Sequence, residues 1–446
     1  MKNIIYKNFW TSLLLAGIFV FALMSLNSCK DDDNENGGNN KQMLITKVYL
    51  EDAQSSVPDR EVTFGRIGQL LRLEGSGFAG VQKVYINGYN VMFNPVYVTD
   101  NNILVQIPRG TPTMDAADDV RNTIIMEKGS IRYIYSFDIR DAAPSITSIS
   151  HTMPVAGDVI TIYGSGLQGV TSVVFPGDVT VTTGIVSDDE DGKFCTVTVP
   201  AGVSNDGGAI KIISANGGAY SPSYFNFKKG LIQNFDDVNN YSWASNMDGS
   251  AVLSSVIPTS GDGPKSQNNY QCFNTDGKTI ATNGDVRYWT NSADWPSALL
   301  SVIPAGTSTS NCGVQMDIYV EGVWNSGVIR MVMADGSGTE RYCMIYRPWY
   351  KDAAVVPFEN PGCWFTITLP FSDSSDYEGK TFDDVVSSMV KASYKQAGPW
   401  FHNIGVPGAS GQPAIVEPEA TTVKIYFDNI RVVPLDTPVY DEFGNG

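Results

Sequence analysis

The sequence predicts an all-β protein with three domains. Its 446 residues exceed the size at which one hydrophobic core stops growing. Its 43 glycines, 21 tyrosines and 20 phenylalanines favour strands and turns over helices. Two stretches repeat each other, and a third is rich in tryptophan. We therefore predict two small β-sandwiches over residues 43–142 and 143–229, then a larger one over residues 230–436 with a tail over 437–446.

The N-terminal residues have the pattern of a secretory signal. Two lysines, Lys2 and Lys7, precede an apolar run from Leu13 to Leu26, and Cys29 follows shortly after. The run is shorter than the roughly 20 residues that a membrane-spanning helix needs. Residues 1–28 resemble a bacterial lipoprotein signal, which implies that Cys29 is the lipidated N-terminus after cleavage.

A polar, acidic stretch over residues 29–42 follows the cysteine, and its composition predicts a flexible tether. The segment Lys30-Asp31-Asp32-Asp33 resembles the acidic export signal of Bacteroidetes lipoproteins. That resemblance implies a protein exposed on the cell surface and anchored by lipid in the outer membrane. The alternative is an ordinary acidic linker.

Charge and cysteine content exclude several functions. A formal charge of -17 disfavours nucleic acid as a partner. No cysteines show C-x-x-C spacing, so neither a zinc site nor a redox motif is supported, and we expect no cofactor. Four cysteines, Cys272, Cys312, Cys343 and Cys363, allow two disulfides or buried thiols. We favour thiols for these four.

The repeat contains a spacing typical of dinucleotide-binding loops, G-x-G-x-x-G, at residues 75–80 and again at 164–169. Such a loop must run from a strand into a helix. Here alternating strand patterns both precede and follow each copy, which leaves no room for a helix. The glycines align at a spacing of 89 residues, so the pattern indicates a duplicated β domain rather than a nucleotide site.

Both copies resemble IPT/TIG domains, which are small immunoglobulin-like sandwiches. The second copy has the fuller pattern, with Pro144 opening a strand and Ile160-Thr161-Ile162-Tyr163 leading into Gly164. The resemblance implies spacers or interaction modules. The short connection Asp141-Ala142-Ala143-Pro144 predicts limited bending between the two sandwiches.

The third region opens with Leu231–Asp237 and closes with Val423–Val432, and it holds seven of the eight tryptophans. This arrangement resembles jelly-roll carbohydrate-binding modules, whose first and last strands lie side by side. The whole chain resembles the surface glycan-binding proteins of Bacteroidetes polysaccharide utilization loci. Residues 321–327, 346–350 and 362–370 resemble that family's xyloglucan-binding domain.

The family resemblance implies a non-catalytic lipoprotein that captures a polysaccharide. A plant β-glucan such as xyloglucan or mixed-linkage glucan is the favoured ligand, and a TonB-dependent transporter with a partner lipoprotein would receive it. One alternative is a surface adhesin or structural protein that binds a protein partner. A jelly-roll glycoside hydrolase is a further alternative.

Exposed aromatic rings are the expected glycan platform, because a pyranose presents C–H groups that stack on a flat apolar face. Amides and arginines nearby supply hydrogen bonds to hydroxyls. Turn-like surroundings favour exposure of Trp324, Trp349 and Tyr350. The remaining candidates are Trp289, Trp295, Trp400, Asn325 and Arg347. Trp364, at the start of an alternating strand, is predicted to lie in the core, and Trp243 fits either role.

Catalysis and metal binding have weaker support. The two histidines, His151 and His402, have no partner at metal-ligand spacing, and no glutamates form the E-x-D-x-x-E cluster of jelly-roll glucanases. We therefore expect no enzyme activity. Asp236, Asp237 and Asp428 either hold a structural calcium ion where the first and last strands pair, or are solvated carboxylates at strand ends.

Overall fold

The computed structural model describes residues 42–53, 57, 59–238, 241–245, 263–265, 268–290, 295–333, 343–391 and 397–444. The predicted signal, Cys29 and all but the last residue of the tether lie outside these ranges. Among the described residues, no helix has both the length and the apolar character needed to cross a membrane.

The first sandwich pairs a sheet in the order β2-β1-β4-β7 with a sheet in the order β6-β5-β8-β9. A short parallel pair of strands, β3 and β10, closes one edge. The strands are β1 (Leu44–Leu50), β2 (Arg60–Glu61), β3 (Phe64–Arg66), β4 (Leu70–Ser76), β5 (Lys83–Ile86), β6 (Tyr89–Val91), β7 (Asn102–Gln106), β8 (Thr123–Lys128), β9 (Ile131–Ser136) and β10 (Asp138–Arg140).

The second sandwich repeats this plan with sheets in the orders β11-β12-β16-β15 and β14-β13-β17-β18. Its strands are β11 (Ser145–Ile149), β12 (Val159–Ser165), β13 (Ser172–Phe175), β14 (Val179–Val181), β15 (Val186–Ser187), β16 (Phe194–Thr198), β17 (Lys211–Ser214) and β18 (Gly217–Tyr220).

The repeated glycines serve the backbone. Gly75 lies on β4 opposite Ile45, where β1 bulges, and Gly164 lies on β12 opposite Ile146, where β11 bulges. A Cβ at either glycine would overlap a backbone carbonyl oxygen of that first strand. A turn and another strand follow each copy of the motif, which confirms that the motif is not a nucleotide-binding loop.

The third sandwich contains two five-stranded sheets. We name the sheet β19-β30-β23-β28, with β21 beside β30, the docked sheet, and the sheet β20-β22-β29-β24-β25 the outer sheet. The strands are β19 (Leu231–Gln233), β20 (Tyr241–Ser245), β21 (Gln271–Cys272), β22 (Asp285–Thr290), β23 (Cys312–Glu321), β24 (Val328–Met333), β25 (Cys343–Tyr346), β26 (Tyr350–Lys351), β27 (Ala354–Val355), β28 (Phe365–Pro370), β29 (Ala397–His402) and β30 (Lys424–Pro434).

The first and last strands of this sandwich, β19 and β30, pair antiparallel, as the sequence predicts.

Helical segments are short. They are α1 (Trp295–Ala298), α2 (Phe382–Lys391) and the 3-10 turns Pro95–Tyr97, Lys228–Gly230, Leu299–Ser301, Thr309–Asn311 and Phe371–Asp373. Helix α2 begins after Thr381, whose backbone N–H donates to the Asp384 carboxylate at 3.0 Å, and buries Phe382, Val385 and Met389 on one face. The predicted all-β fold is confirmed.

The third sandwich is joined to the second through the docked sheet. The backbone N–H of Thr366 donates to the Ser150 carbonyl at 2.8 Å, and the Thr152 N–H donates to the Thr366 hydroxyl at 2.9 Å. Beside them the guanidinium of Arg431 contacts the Asp317 carboxylate at 3.0 Å, with both side chains buried. The outer sheet therefore lies on the side of the third sandwich that faces away from the second.

Candidate functional site

The candidate site lies on the outward face of the outer sheet. Successive residues of a strand point to opposite faces, so one set lies in the core and the alternate set points outward. On β22, for example, Val286 and Tyr288 belong to the main core of the third sandwich. The outward positions are Arg287 and Trp289 on β22, Arg330 and Val332 on β24, and Trp400 and His402 on β29.

Two tryptophans form the centre of this face. The ring centroids of Trp289 and Trp400 are 4.9 Å apart at an interplanar angle of 86°, an edge-to-face contact. With Val332 they form a small apolar cluster separate from the main core. Trp289 is 7% exposed and Trp400 is 1% exposed, so the indoles are nearly covered. Both were predicted as glycan contacts, and the structure brings them together.

Charged side chains surround the indole of Trp400. Strand register places Arg287 and Arg330 opposite Trp400 on the two neighbouring strands. The Arg287 guanidinium lies 4.1 Å from the centroid of the Trp400 ring, and that of Arg330 lies at 6.0 Å. Arg287 also pairs with Asp285 at 2.6 Å, and Nη1 of Arg330 lies 3.2 Å from Nδ1 of His402.

One donor at this site has no partner. The indole Nε1–H of Trp400 is buried and makes no hydrogen bond within the described part of the chain. A buried N–H without a hydrogen-bond acceptor lowers the stability of a folded protein by about 1–3 kcal/mol. A ligand hydroxyl could accept from it. The face thus combines apolar rings, fixed cations, a carboxylate and an orphaned donor, which is the chemistry that binds a polyhydroxylated ligand.

The prediction that Trp324 and Trp349 are exposed is wrong, because both side chains are 0% exposed in the main core. Their indole N–H groups donate to one carbonyl oxygen, that of Gly327, at 3.1 and 2.6 Å. Tyr346 and Phe358 pack edge-to-face on Trp324. The turn residues around Trp324 correctly indicated a loop, but its side chain points inward, where the shared carbonyl satisfies both indoles.

The other predicted contacts are not part of the indole pair. Tyr350 and Asn325 are half-buried, and Tyr350 packs edge-to-face on Trp349 with centroids 6.3 Å apart. Arg347 is half-buried and donates to the Gly405 carbonyl at 3.0 Å, and burial lowers the pKa of its guanidinium. The side chains of Trp295 and Trp243 lie outside the described residues. Trp364 is buried, as predicted for a core position, and it packs against Tyr270.

The three aspartates for which the sequence allows either a calcium site or solvated carboxylates differ in exposure. Asp428 is buried, whereas Asp236 and Asp237 are exposed. Burial, together with the charge of nearby Asp317, raises the pKa of Asp428 well above its usual value. Within the described ranges, no three His, Cys, Asp or Glu side chains come together as metal ligands.

The described cysteine side chains are free thiols, namely Cys195, Cys272, Cys312 and Cys363. Burial raises the pKa of the Cys195 thiol to about 11 and those of Cys272 and Cys312 to about 12, so they are not reactive thiolates at neutral pH. The preference for thiols over disulfides is confirmed for Cys272, Cys312 and Cys363. The side chain of Cys343 lies outside the described residues.

Sequence reasoning missed four polar members of the site, namely Asp285, Arg287, Arg330 and His402. A signal was present, since Arg287 and Arg330 each interrupt an otherwise apolar strand at an outward position of the alternation. The pairing of three strands distant in sequence, which brings them together around Trp400, could not be read from any one segment.

The fold and site define a class: two immunoglobulin-like sandwiches that carry a β-sandwich of the carbohydrate-binding-module type. Residues 225–434 match the family model described as the surface glycan-binding protein B xyloglucan binding domain. This region is thus similar to that domain family, and the predicted resemblance to surface glycan-binding proteins is confirmed.

The chain is also similar to individual proteins. An IPT/TIG domain-containing protein of Bacteroides ovatus is 29% identical over 174 residues, which cover 39% of this chain but only 34% of that relative. The surface glycan-binding protein PbSGBP-B of Prevotella bryantii has the same fold, with a TM-score of 0.62 at 19% identity over 89% of this chain and 99% of that one. A surface glycan-binding protein B of Bacteroides uniformis aligns with a TM-score of 0.45 at 18% identity, over 88% of this chain and 100% of that one.

Proposed function

We propose that this protein is a non-catalytic, lipid-anchored surface protein that captures a β-glucan chain on the outer sheet of its third sandwich. Xyloglucan and mixed-linkage glucan are the favoured ligands, because residues 225–434 match a xyloglucan-binding domain family. We infer the location of the glycan site from the unpaired indole N–H of Trp400, which lies on the sheet face that points away from the second sandwich.

The proposed contacts follow from the chemistry of the site. Arg287, Arg330 and Asp285 offer donors and acceptors to sugar hydroxyls, and His402 offers a ring nitrogen. The Trp289 and Trp400 rings provide the apolar surface on which a pyranose packs. Because Arg287 lies over the Trp400 ring, its guanidinium must move aside as the sugar stacks there, and its unbranched stem allows that movement.

The wider role rests on the N-terminal sequence and on the family. Cys29 would carry the lipid that anchors the protein in the outer membrane, and the first two sandwiches would hold the glycan-binding module away from the membrane. The captured glycan would pass to a TonB-dependent transporter and its partner lipoprotein. Loss of radiolabelled fatty acid incorporation in Cys29→Ser tests the anchor.

Affinity electrophoresis of residues 43–446 in gels that contain single polysaccharides tests the function. We expect xyloglucan or mixed-linkage glucan to retard the protein, and mannan, xylan and laminarin to leave its mobility unchanged. A reducing-sugar assay on the same polymers should detect no cleavage. Uniform mobility in every gel would contradict glycan capture and would favour the adhesin alternative.

A further inference from the structure

The end of the chain passes over all three sandwiches. We name residues 435–443 the C-terminal strap. At its start, the backbone N–H of Leu435 donates to the Asn311 carbonyl of the third sandwich at 2.8 Å. One residue later, the Asp436 carbonyl accepts hydrogen bonds from the Ser223 backbone N–H at 2.9 Å and from the Ser223 hydroxyl at 3.0 Å. The strap has then reached the second sandwich.

The second sandwich has a seat for the strap on β18. The ring of Tyr440 lies over Gly218, where a Cβ would overlap the ring. Tyr220 packs against Tyr440 with centroids 6.2 Å apart, and the ammonium of Lys211 lies 6.0 Å from the centroid of the Tyr440 ring. A residue without a side chain thus allows the tyrosine to approach the strand closely.

The strap ends on the first sandwich. Phe443 stacks on Phe64 with centroids 5.5 Å apart and an interplanar angle of 14°. The guanidinium of Arg60 lies 4.4 Å from the centroid of the Phe443 ring. Glu442 forms an ion pair with Arg66, in which the two side chains are 21% and 10% exposed. Because this ion pair is largely withdrawn from water, it is screened less than a surface pair.

Charge complementarity supports the contact. Arg66 and Arg140 lie over the Phe64 ring and Arg60 lies over the Phe443 ring, in a chain that has far more acidic than basic residues. The segment that meets them carries Asp441 and Glu442. An acidic, aromatic peptide end therefore lies on a basic, aromatic surface, and association of this kind adds electrostatic specificity to ring packing.

One guanidinium connects the strap to the link between the first two sandwiches. Besides its pair with Glu442, Arg66 donates through Nη1 to the Asp141 carbonyl at 2.7 Å. The N–H of Asp141 in turn donates to the Asn216 side chain of the second sandwich at 3.0 Å. The strap thus ends where the short connection between the sandwiches begins.

We infer that the C-terminal strap is an intramolecular clamp that fixes the angle between the first and second sandwiches. The third sandwich is held on the second because Thr366 and Arg431 donate hydrogen bonds to Ser150 and Thr152, so it presents the strap to the first sandwich at a high effective concentration. The first sandwich is consequently held by two attachments, its own link and the strap. A pivot at Asp141 requires the strap to leave Phe64 and Arg66.

Three variants test the clamp against the protein that spans residues 43–446. One ends at Leu435, a second carries Gly218→Val, which occupies the seat of Tyr440, and a third combines Glu442→Gln with Phe443→Ala. The control is Val439→Ser, because Val439 is a strap residue that is 91% exposed. Far-UV circular dichroism and thermal melts establish that each variant is folded before the comparison.

Small-angle X-ray scattering and limited tryptic cleavage after Arg140 are the readouts. We expect the three strap variants to show a broader distribution of interatomic distances within the molecule than the parent. We also expect trypsin to cleave them about tenfold faster than the parent, with the control unchanged. If the folded Gly218→Val and Glu442→Gln/Phe443→Ala variants scatter and cleave like the parent, the clamp is overturned. A chain ending at Leu435 that also behaves like the parent leads to the same conclusion.

Discussion

The two sheets of the third sandwich both place charged side chains on their outward faces, but these faces have different neighbours. On the docked sheet, Asp317 and Arg431 are buried against Thr152 of the second sandwich, and Arg431 Nη2 donates to the Thr152 hydroxyl at 2.7 Å. On the outer sheet, Arg287 and Arg330 are half-buried beside the indole of Trp400.

The comparison shows that the same strand alternation can build a joint or a binding surface. The charges of the docked sheet compensate one another. Burial by itself raises the pKa of Asp317, but attraction to Arg431 and His151 outweighs it and keeps the pKa below its usual value. On the outer sheet, the Trp400 donor has no protein partner within the described residues. The charged pair of the docked face contacts the second sandwich, whereas the outer face retains an indole donor for a ligand.

The largest expected effect comes from breaking the joint. Arg431→Met leaves the Asp317 carboxylate buried without its cation and should lower the free energy of unfolding by about 3–5 kcal/mol. Urea denaturation followed by circular dichroism measures this loss. Lys193→Ala, which removes an exposed pair with Asp191, is the control and should cause no measurable change. A loss below about 1 kcal/mol in Arg431→Met would show that the joint tolerates the unpaired charge.

A smaller effect, confined to binding, is expected on the outer sheet. Trp400→Ala removes the central ring and should weaken glycan binding at least about tenfold, which corresponds to about 1.4 kcal/mol. Isothermal titration calorimetry with the polymer that retards the protein measures the change. Trp324→Phe is the matched control, since its ring packs in the core, and it should bind like the parent. Equal affinity of folded Trp400→Ala and parent would place the glycan elsewhere.

The smallest effect is a pH dependence of the joint. Burial lowers the pKa of His151 from its ordinary 6.5, although Asp317 opposes the shift. The unfolded chain therefore binds a proton more readily than the folded chain, and stability that is present above pH 6.5 is lost as pH falls toward the lowered pKa.

His151→Gln isolates this contribution, because Asp317 and Asp428 titrate in both proteins. We expect the difference in unfolding free energy between parent and variant to change as pH falls from 7.5 to 5, with the parent losing more. Urea titrations at each pH provide the measurement. A difference that stays constant with pH would mean that protonation of His151 does not lower the free energy of unfolding.

Much of the fold could be predicted because it depends on local patterns. The repeat glycines and the alternation of β12 follow from residue types at short spacing, whereas the pairing of the first and last strands of the third sandwich was expected from the family resemblance. Trp364 was correctly placed in the core from the alternation after it. Trp324 and Trp349 were wrongly predicted to be exposed, because a turn composition specifies the path of the backbone and leaves the direction of the side chain open.

The sequence by itself determined the β architecture, the duplication and the concentration of aromatic residues in the last region, since strand periodicity and turn chemistry act over a few residues. Only the tertiary structure decided which tryptophans share a face, which sheet docks on the second sandwich, and where the C-terminal strap ends. Those outcomes depend on pairings between segments far apart in the chain, such as Arg287 with Trp400 or Glu442 with Arg66. Burial and charge compensation select such pairings only after the strands have assembled.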